Sequence, residues 1–401
     1  MSVVRSIGEG ERRAYLDQIS RTFSGNRSNE VEVERWGREV EDDRALAALD
    51  GDQIVGSAAT VPVGLTVPGG AILPTGAVIA VTVRATHRRR GMLRALMRRL
   101  LEQLHERGEP LSGLTASEGS IYRRFGYGIG TYEARVEVPR HRSAFRIGVP
   151  VDCIRYIERD EAMRVLPALD RRISAGRPGW LERPAIWWEH ALEDPKDRQG
   201  RSELFIALHE GADGPDGYAT YRMRWEDDGW NLAIDDLAAS DGAVYASVWR
   251  HCLDVDLMRV IRAPSRPVDE PLRFLLADHR AVERKVRDML WLRLVDVPVA
   301  LESRRYAQEG SVRIRVEDDF CEWNRGTYLL EGGPDGARCR LDAGEPDLVI
   351  DAATLSECYL GCEPLELLAW AGVVEELRPG AVERAGAMLA TPLAPWCPTG
   401  F

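Results

Sequence analysis

Lysine is nearly missing from this 401-residue chain: two occur, Lys196 and Lys285, among 53 basic residues. Schiff-base chemistry therefore has few candidates. Cysteine is sparse and scattered. The seven cysteines (Cys153, Cys252, Cys321, Cys339, Cys358, Cys362 and Cys397) form no CxxC pair. Their odd number, with no signal-peptide pattern, predicts reduced thiols in a cytoplasmic protein. Cys358 and Cys362 read as small hydrophobes, because no further thiolate or imidazole stands near them. The seven histidines are dispersed and HExxH does not occur, so no metal is expected. Apolar runs are interrupted within a handful of residues, so no segment spans a bilayer and no membrane partner is expected. The 53 basic and 64 acidic residues leave a net charge of −11, which argues against a nucleic-acid partner.

What is present is the composition of a folded, soluble protein, 44% hydrophobic and 29% charged. The length predicts two or three domains. Charge is unevenly distributed. Leu301–Phe401 holds 9 basic and 18 acidic residues, whereas Met1–Pro150 holds 22 basic and 18 acidic. A basic head beside an acidic tail suits one anionic and one cationic ligand.

Three parts are expected: 1–151, 152–293 and 294–401. In the first, Asp50-Gly51-Asp52 and Pro68-Gly69-Gly70 mark turns between strands, and Ala77–Val83 reads as a buried strand. From Gly91 the period changes. Met92, Leu93, Leu96, Met97, Leu100, Leu101 and Leu104 recur at helical spacing, opposite Arg94, Arg98 and Arg99. A strand at Leu111–Ala116, a helix at Glu118–Phe125 and a strand at Thr131–Val138 complete an α/β pattern. The second part repeats the strand, helix, strand order with Ala239-Ser240-Asp241-Gly242 before its helix, suggesting a degenerate duplication. The third part reads as strands followed by helices at Ala352–Leu360 and Pro364–Ala371. Its last residues, Thr391–Phe401, are too rich in proline for regular structure.

The strongest chemical signal is the junction Val81-Thr82-Val83-Arg84-Ala85-Thr86-His87-Arg88-Arg89-Arg90-Gly91-Met92-Leu93. A strand ends, a basic loop turns and a helix begins. Backbone N–H groups at a helix start form an anion cradle, strengthened by the macrodipole. Gly91 permits close approach of a phosphate, and Arg88, Arg89 and Arg90 can pair with others. Neither GxxxxGK[ST] nor GxGxxG is present, which excludes a Walker loop and a dinucleotide fingerprint.

The RxxGxx run Arg88–Leu93 after a V-x-V strand resembles the coenzyme A motif of the GCN5-related N-acetyltransferases (GNAT superfamily). Ala116-Ser117-Glu118-Gly119-Ser120-Ile121-Tyr122-Arg123-Arg124-Phe125-Gly126-Tyr127-Gly128 resembles their later segment, whose tyrosine faces the thioester sulfur. Together with a three-part chain ending in Phe401, these motifs closely resemble the Eis (enhanced intracellular survival) family. The resemblance implies an α/β protein of mixed sheets: tandem acetyltransferase domains, the second degenerate, then an α+β domain similar to sterol carrier proteins. It implies acetyl-CoA as cosubstrate, held by Val81, Thr82, Val83, Arg88, Arg89, Arg90, Gly91, Met92, Leu93 and Ser117. It also implies a homo-oligomer, specifically a hexamer.

The chemistry then needs two proton-handling groups. A primary amine, of pKa ~10.4, must lose a proton as it attacks the thioester, and the departing thiolate needs an acid. Tyr122 fits the acid, with Tyr127 and Tyr132 as rival phenols. The resemblance implies that the α-carboxylate of Phe401 is the base, with Glu118 the local alternative. Trp36, among Glu30, Glu32 and Glu34, fits a pocket wall for a cationic amine, with a buried core tryptophan the competing reading. Glu118 is expected at the same substrate pocket. The predicted activity is acetyl transfer to an aminoglycoside- or polyamine-type amine. Protein-lysine acetylation and non-catalytic binding of an apolar ligand are the alternatives.

Overall fold

A computed structural model describes residues 3–23, 28–149, 153–195, 198–226 and 229–401. Lys196 and the expected boundary at 151/152 lie outside them. The chain divides into two compact units: Met1–Gly130 with Leu290–Pro392 and Gly400–Phe401, and Thr131–Met289 with Leu393–Thr399.

The first unit opens with β1 (Val3–Ser6), α1 (Arg12–Thr22), α2 (Glu30–Glu39), β2 (Ala45–Asp50), β3 (Gln53–Thr66) and β4 (Ile72–Val83). There follow α3 (Met92–Glu106), β5 (Leu111–Thr115) and the short β6 (Gly128–Ile129). The sheet order is β1-β2-β3-β4-β5, then the distant strand Leu290–Leu294, then β6. The apolar stripe of α3 is realised as expected: Met92, Leu96, Met97, Leu100, Leu101 and Leu104 are all buried. Each such side chain contributes about 2 kcal/mol of burial. A Cβ at Gly76 would lie 2.5 Å from Leu104, so β4 needs glycine where α3 packs against it.

Two features of β4 prepare the site. It pairs in parallel with β5 only over Thr75–Ala77 against Leu111–Gly113, after which the strands part. Against β3 it carries one extra residue, since Ser57 faces Thr82 and Ala59 faces Ile79. Ala80 in this bulge has φ +55, a left-handed conformation costing about 1–2 kcal/mol for a residue with a Cβ. Ser57 supports it, its Oγ donating to the Ala80 carbonyl at 2.7 Å.

Also in the first unit, a five-stranded sheet runs in the order Gly336–Leu341, Gly326–Gly333, Gly310–Glu317, Leu348–Asp351, Val374–Glu376. Phe320 and Cys321 of this part join the core beneath α3, and Phe320 packs on Phe125 with ring centroids 5.0 Å apart.

The second unit is built on a sheet ordered Glu283–Asp288, Tyr132–Pro139, Met258–Arg266, Gly229–Ala239, Gly214–Glu226, Phe205–Gly211, Ile154–Tyr156. The strand expected to close the first part, Thr131–Val138, thus pairs here with Met258–Arg266. Its place in the first sheet is taken by Leu290–Leu294, which pairs with β5 and β6. The segment expected as a helix at Glu118–Phe125 forms turns instead, with one short 3-10 turn at Arg123–Phe125. Gly119, Ser120 and Gly126 disfavour continuous helix, and Gly126 adopts φ +81. No helix among the described residues is long and apolar enough to cross a membrane.

Candidate active site

The site begins at the start of α3. Gly91 is its N-cap at φ +80, with no capping side chain and no acidic residue in the first turn. A Cβ built on Gly91 would meet nothing within 4 Å, so the approach to the first-turn amides is open. Arg88, Arg89 and Arg90 are exposed around it. An uncompensated helix terminus ringed by guanidinium groups fits the phosphates of a nucleotide-bearing cosubstrate. The matching place in the second unit is closed. There Asp241 caps the helix Gly242–Asp254, its Oδ1 accepting from the Ala243 and Val244 amides at 2.8 and 3.0 Å. A carboxylate already sits where an anion would bind.

Where β4 and β5 part, the gap forms a cavity of about 340 Å³. Val78 to Val81 line one side, and Leu114 to Ser117 continue from β5 on the other. Phe23, Tyr122 and Phe401 complete it. Strands splayed in this way leave Ile79–Val81 without a partner strand on the β5 side, so an extended chain can lie along them.

Tyr122 is buried, 6% exposed. Burial, with the negative charge of Glu118 adding to it, pushes its phenol above the ordinary value of 10, so it carries its proton at neutral pH. Tyr127 packs edge-on to Tyr122 with centroids 6.1 Å apart, but its hydroxyl is committed to Ser112 Oγ at 2.6 Å. That makes Tyr127 a packing residue. Tyr132, the other rival phenol, opens a strand of the second unit. The main-chain oxygen of Phe401 accepts a hydrogen bond from Thr115 Oγ1 at 3.0 Å, which holds this residue at the cavity.

Val81, Ser117, Tyr122 and Phe401 are therefore brought to one cavity, whereas other expected residues lie elsewhere. Thr82 is buried, its Oγ1 2.6 Å from Ser57 Oγ, and Val83 pairs with Gly56. Neither lines the cavity. Arg88 to Leu93 form the helix start described above. Glu118 is exposed and acts on Tyr122 through its charge, without lining the cavity. Trp36 does not line this cavity: it is buried, and its ring packs on Tyr15 with centroids 5.5 Å apart. The physical reason is its place on the inner stripe of α2, whose Glu30, Glu32 and Glu34 face solvent. Sequence reasoning missed Thr115, Ala80 and Phe23. A hydroxyl at the end of a strand and a non-glycine bulge leave no local signal; both depend on the pairing of distant segments. No cluster of three or more metal-ligating side chains occurs among the described residues.

The Acetyltransferase (GNAT) domain family matches residues 3–130, and a second family of the same description matches 179–294. The Sterol carrier protein domain matches 297–398. An uncharacterized N-acetyltransferase of Streptomyces avermitilis is 39% identical, with 99% of each chain covered. N-acetyltransferase Eis of Mycobacterium tuberculosis is 34% identical over 83% of each chain. The crystal structure of Eis1 from Mycobacterium abscessus superimposes with a TM-score of 0.89 over the whole of both chains, at 33% identity. The chain belongs to the Eis family of GCN5-related N-acetyltransferases. It is an acetyl-CoA-dependent N-acetyltransferase, with two GNAT domains followed by a sterol-carrier-like domain.

Proposed function

We propose that the chain moves the acetyl group of acetyl-CoA onto an amine of a cationic small molecule, of aminoglycoside or polyamine type. The observation carrying this reading is that Tyr122 and Phe401 line the same cavity, at the end of the strand gap. The amine attacks the thioester carbonyl directly, the C–N bond forms, and the C–S bond breaks. The α-carboxylate of Phe401, with pKa ~3.5 in water, accepts the amine proton directly or through water. The phenol of Tyr122, kept protonated by its surroundings, supplies a proton to the departing sulfur. Arg88, Arg89, Arg90 and the amides after Gly91 hold the phosphates, and Val81 offers main-chain groups to the arm.

The reading extends to a cytoplasmic homo-oligomer, a hexamer as the family resemblance implies. The negative charge of the Phe401 carboxylate at the cavity favours a cationic acceptor. An acetyl-CoA-dependent thiol-release assay across polyamines, aminoglycosides and lysine peptides tests it. Release with the small cations supports the reading. Release with lysine peptides alone would replace it by protein acetylation, and release with no amine would overturn it.

A further inference from the structure

The second unit carries a cavity of its own. Its strands Gly229–Ala239 and Met258–Arg266 pair in parallel only at Trp230–Ala233 against Met258–Arg262, then part. A space of about 340 Å³ opens at their parted ends, as it does between β4 and β5. Asp241 closes the end where phosphates would enter. What remains is a chamber walled by Trp180, Leu237, Tyr245, Leu275, Leu393 and Trp396.

Three polar groups on this wall have capacity to spare: the Tyr245 hydroxyl and Trp396 Nε1 have no hydrogen-bond partner among the described residues, and Arg266 has one nitrogen without one. Arg266 is 3% exposed; its Nε donates to Glu270 at 3.0 Å and its Nη1 to the Leu237 carbonyl at 2.7 Å. Its Nη2 makes no hydrogen bond among the described residues. The guanidinium lies 4.9 Å from the Trp396 ring centroid. Its positive charge is already opposed by that of Asp236. The second arginine of the wall, Arg177, is balanced by Asp269 at 2.7 Å. A further anion here would add to the negative charge of Asp236 and Asp269 in a medium that screens poorly, and a cation would meet two arginines. A neutral oxygen is the acceptor that fits Nη2, and flat apolar walls fit aromatic rings.

We infer that this chamber is a binding site for a neutral aromatic compound of one or two rings bearing an oxygen acceptor. The ring lies among Trp180, Tyr245 and Trp396, and the oxygen accepts from Arg266 Nη2. The degenerate domain has thus exchanged a nucleotide site for a small-molecule site.

The test is titration of the full chain at neutral pH with 2-naphthol and, separately, 2-naphthoate, by calorimetry and tryptophan fluorescence. Saturable binding of 2-naphthol is expected, with Kd on the order of 100 µM for a ligand of this size. Naphthoate should bind at least ten-fold more weakly. Gly176→Phe and Gly242→Leu add side chains to the wall. A Cβ at Gly176 meets only the Ile173 carbonyl at 3.5 Å, and one at Gly242 meets nothing within 4 Å, so both variants should fold. Each should weaken 2-naphthol binding ten-fold or more while acetyl-CoA binding is unchanged. Absence of saturable 2-naphthol binding, binding unaltered in both variants, or a preference for naphthoate would each overturn the inference.

Discussion

Thr115 Oγ1 donates to the main-chain oxygen of Phe401 at 3.0 Å, joining residues 286 positions apart at the mouth of one cleft. A hydrogen bond of this kind contributes about 1 kcal/mol, more where the acceptor is charged. Misplacing a reacting group by even ~1 Å can cost ~10²-fold in rate. Thr115→Val keeps the shape and removes the donor. It should lower kcat by about 10-fold or more, with thermal stability and acetyl-CoA affinity close to wild type. Steady-state kinetics beside calorimetry checks this; an unchanged kcat would remove Thr115 from the account.

Replacing Arg88 and Arg89 with alanine should raise the KM for acetyl-CoA and weaken CoA binding, since both are exposed beside an uncapped helix start. Wild-type protein should bind one CoA per chain, because Asp241 fills the equivalent place in the second unit. Calorimetric stoichiometry decides between one and two.

The fold and the site differ in how far sequence reveals them. The run from Val81 to Leu104 is legible because one stretch carries the strand, the basic turn and the helical stripe, and the structure reproduces all three. The exchange of Tyr132–Pro139 and Leu290–Leu294 between sheets is not legible: each reads as a strand, and nothing local names its partner. Trp36 shows the same limit. A tryptophan flanked by glutamates suits a pocket wall or an inner helix face equally, and only its contact with Tyr15 decides. Tyr122 is legible through its motif although the segment forms turns, not helix. Its role depends on where the side chain lies, and the turns bring it to the cleft.

In the second unit Asp170 accepts from Tyr218 Oη at 3.1 Å and Trp180 Nε1 at 3.2 Å, and burial raises its pKa to about 6 despite Arg183. The folded chain therefore holds a proton here that the unfolded chain, near 3.8, has already lost. Its contribution to stability is fully present below about pH 4 and is lost as pH rises through about 6, amounting to about 3 kcal/mol. Denaturant unfolding of Asp170→Asn should show a correspondingly flatter profile between pH 4 and 6 than wild type. Parallel profiles would contradict the assignment.

Glu118 contributes to the raised pKa of the Tyr122 phenol. Since the proton-bearing form is the acid, Glu118→Gln should move the alkaline limb of kcat to lower pH. If Glu118 also acts as the base, kcat should in addition fall at every pH.

The most direct test of the whole account is Tyr122→Phe, which removes one hydroxyl from a buried ring and leaves its packing on Tyr127. Acetyl-CoA-dependent thiol release at saturating amine, measured beside CoA calorimetry, should show kcat lowered ~10²-fold or more with CoA affinity unchanged. Wild-type kcat in this variant would contradict transfer by Tyr122 as the acid in this cleft.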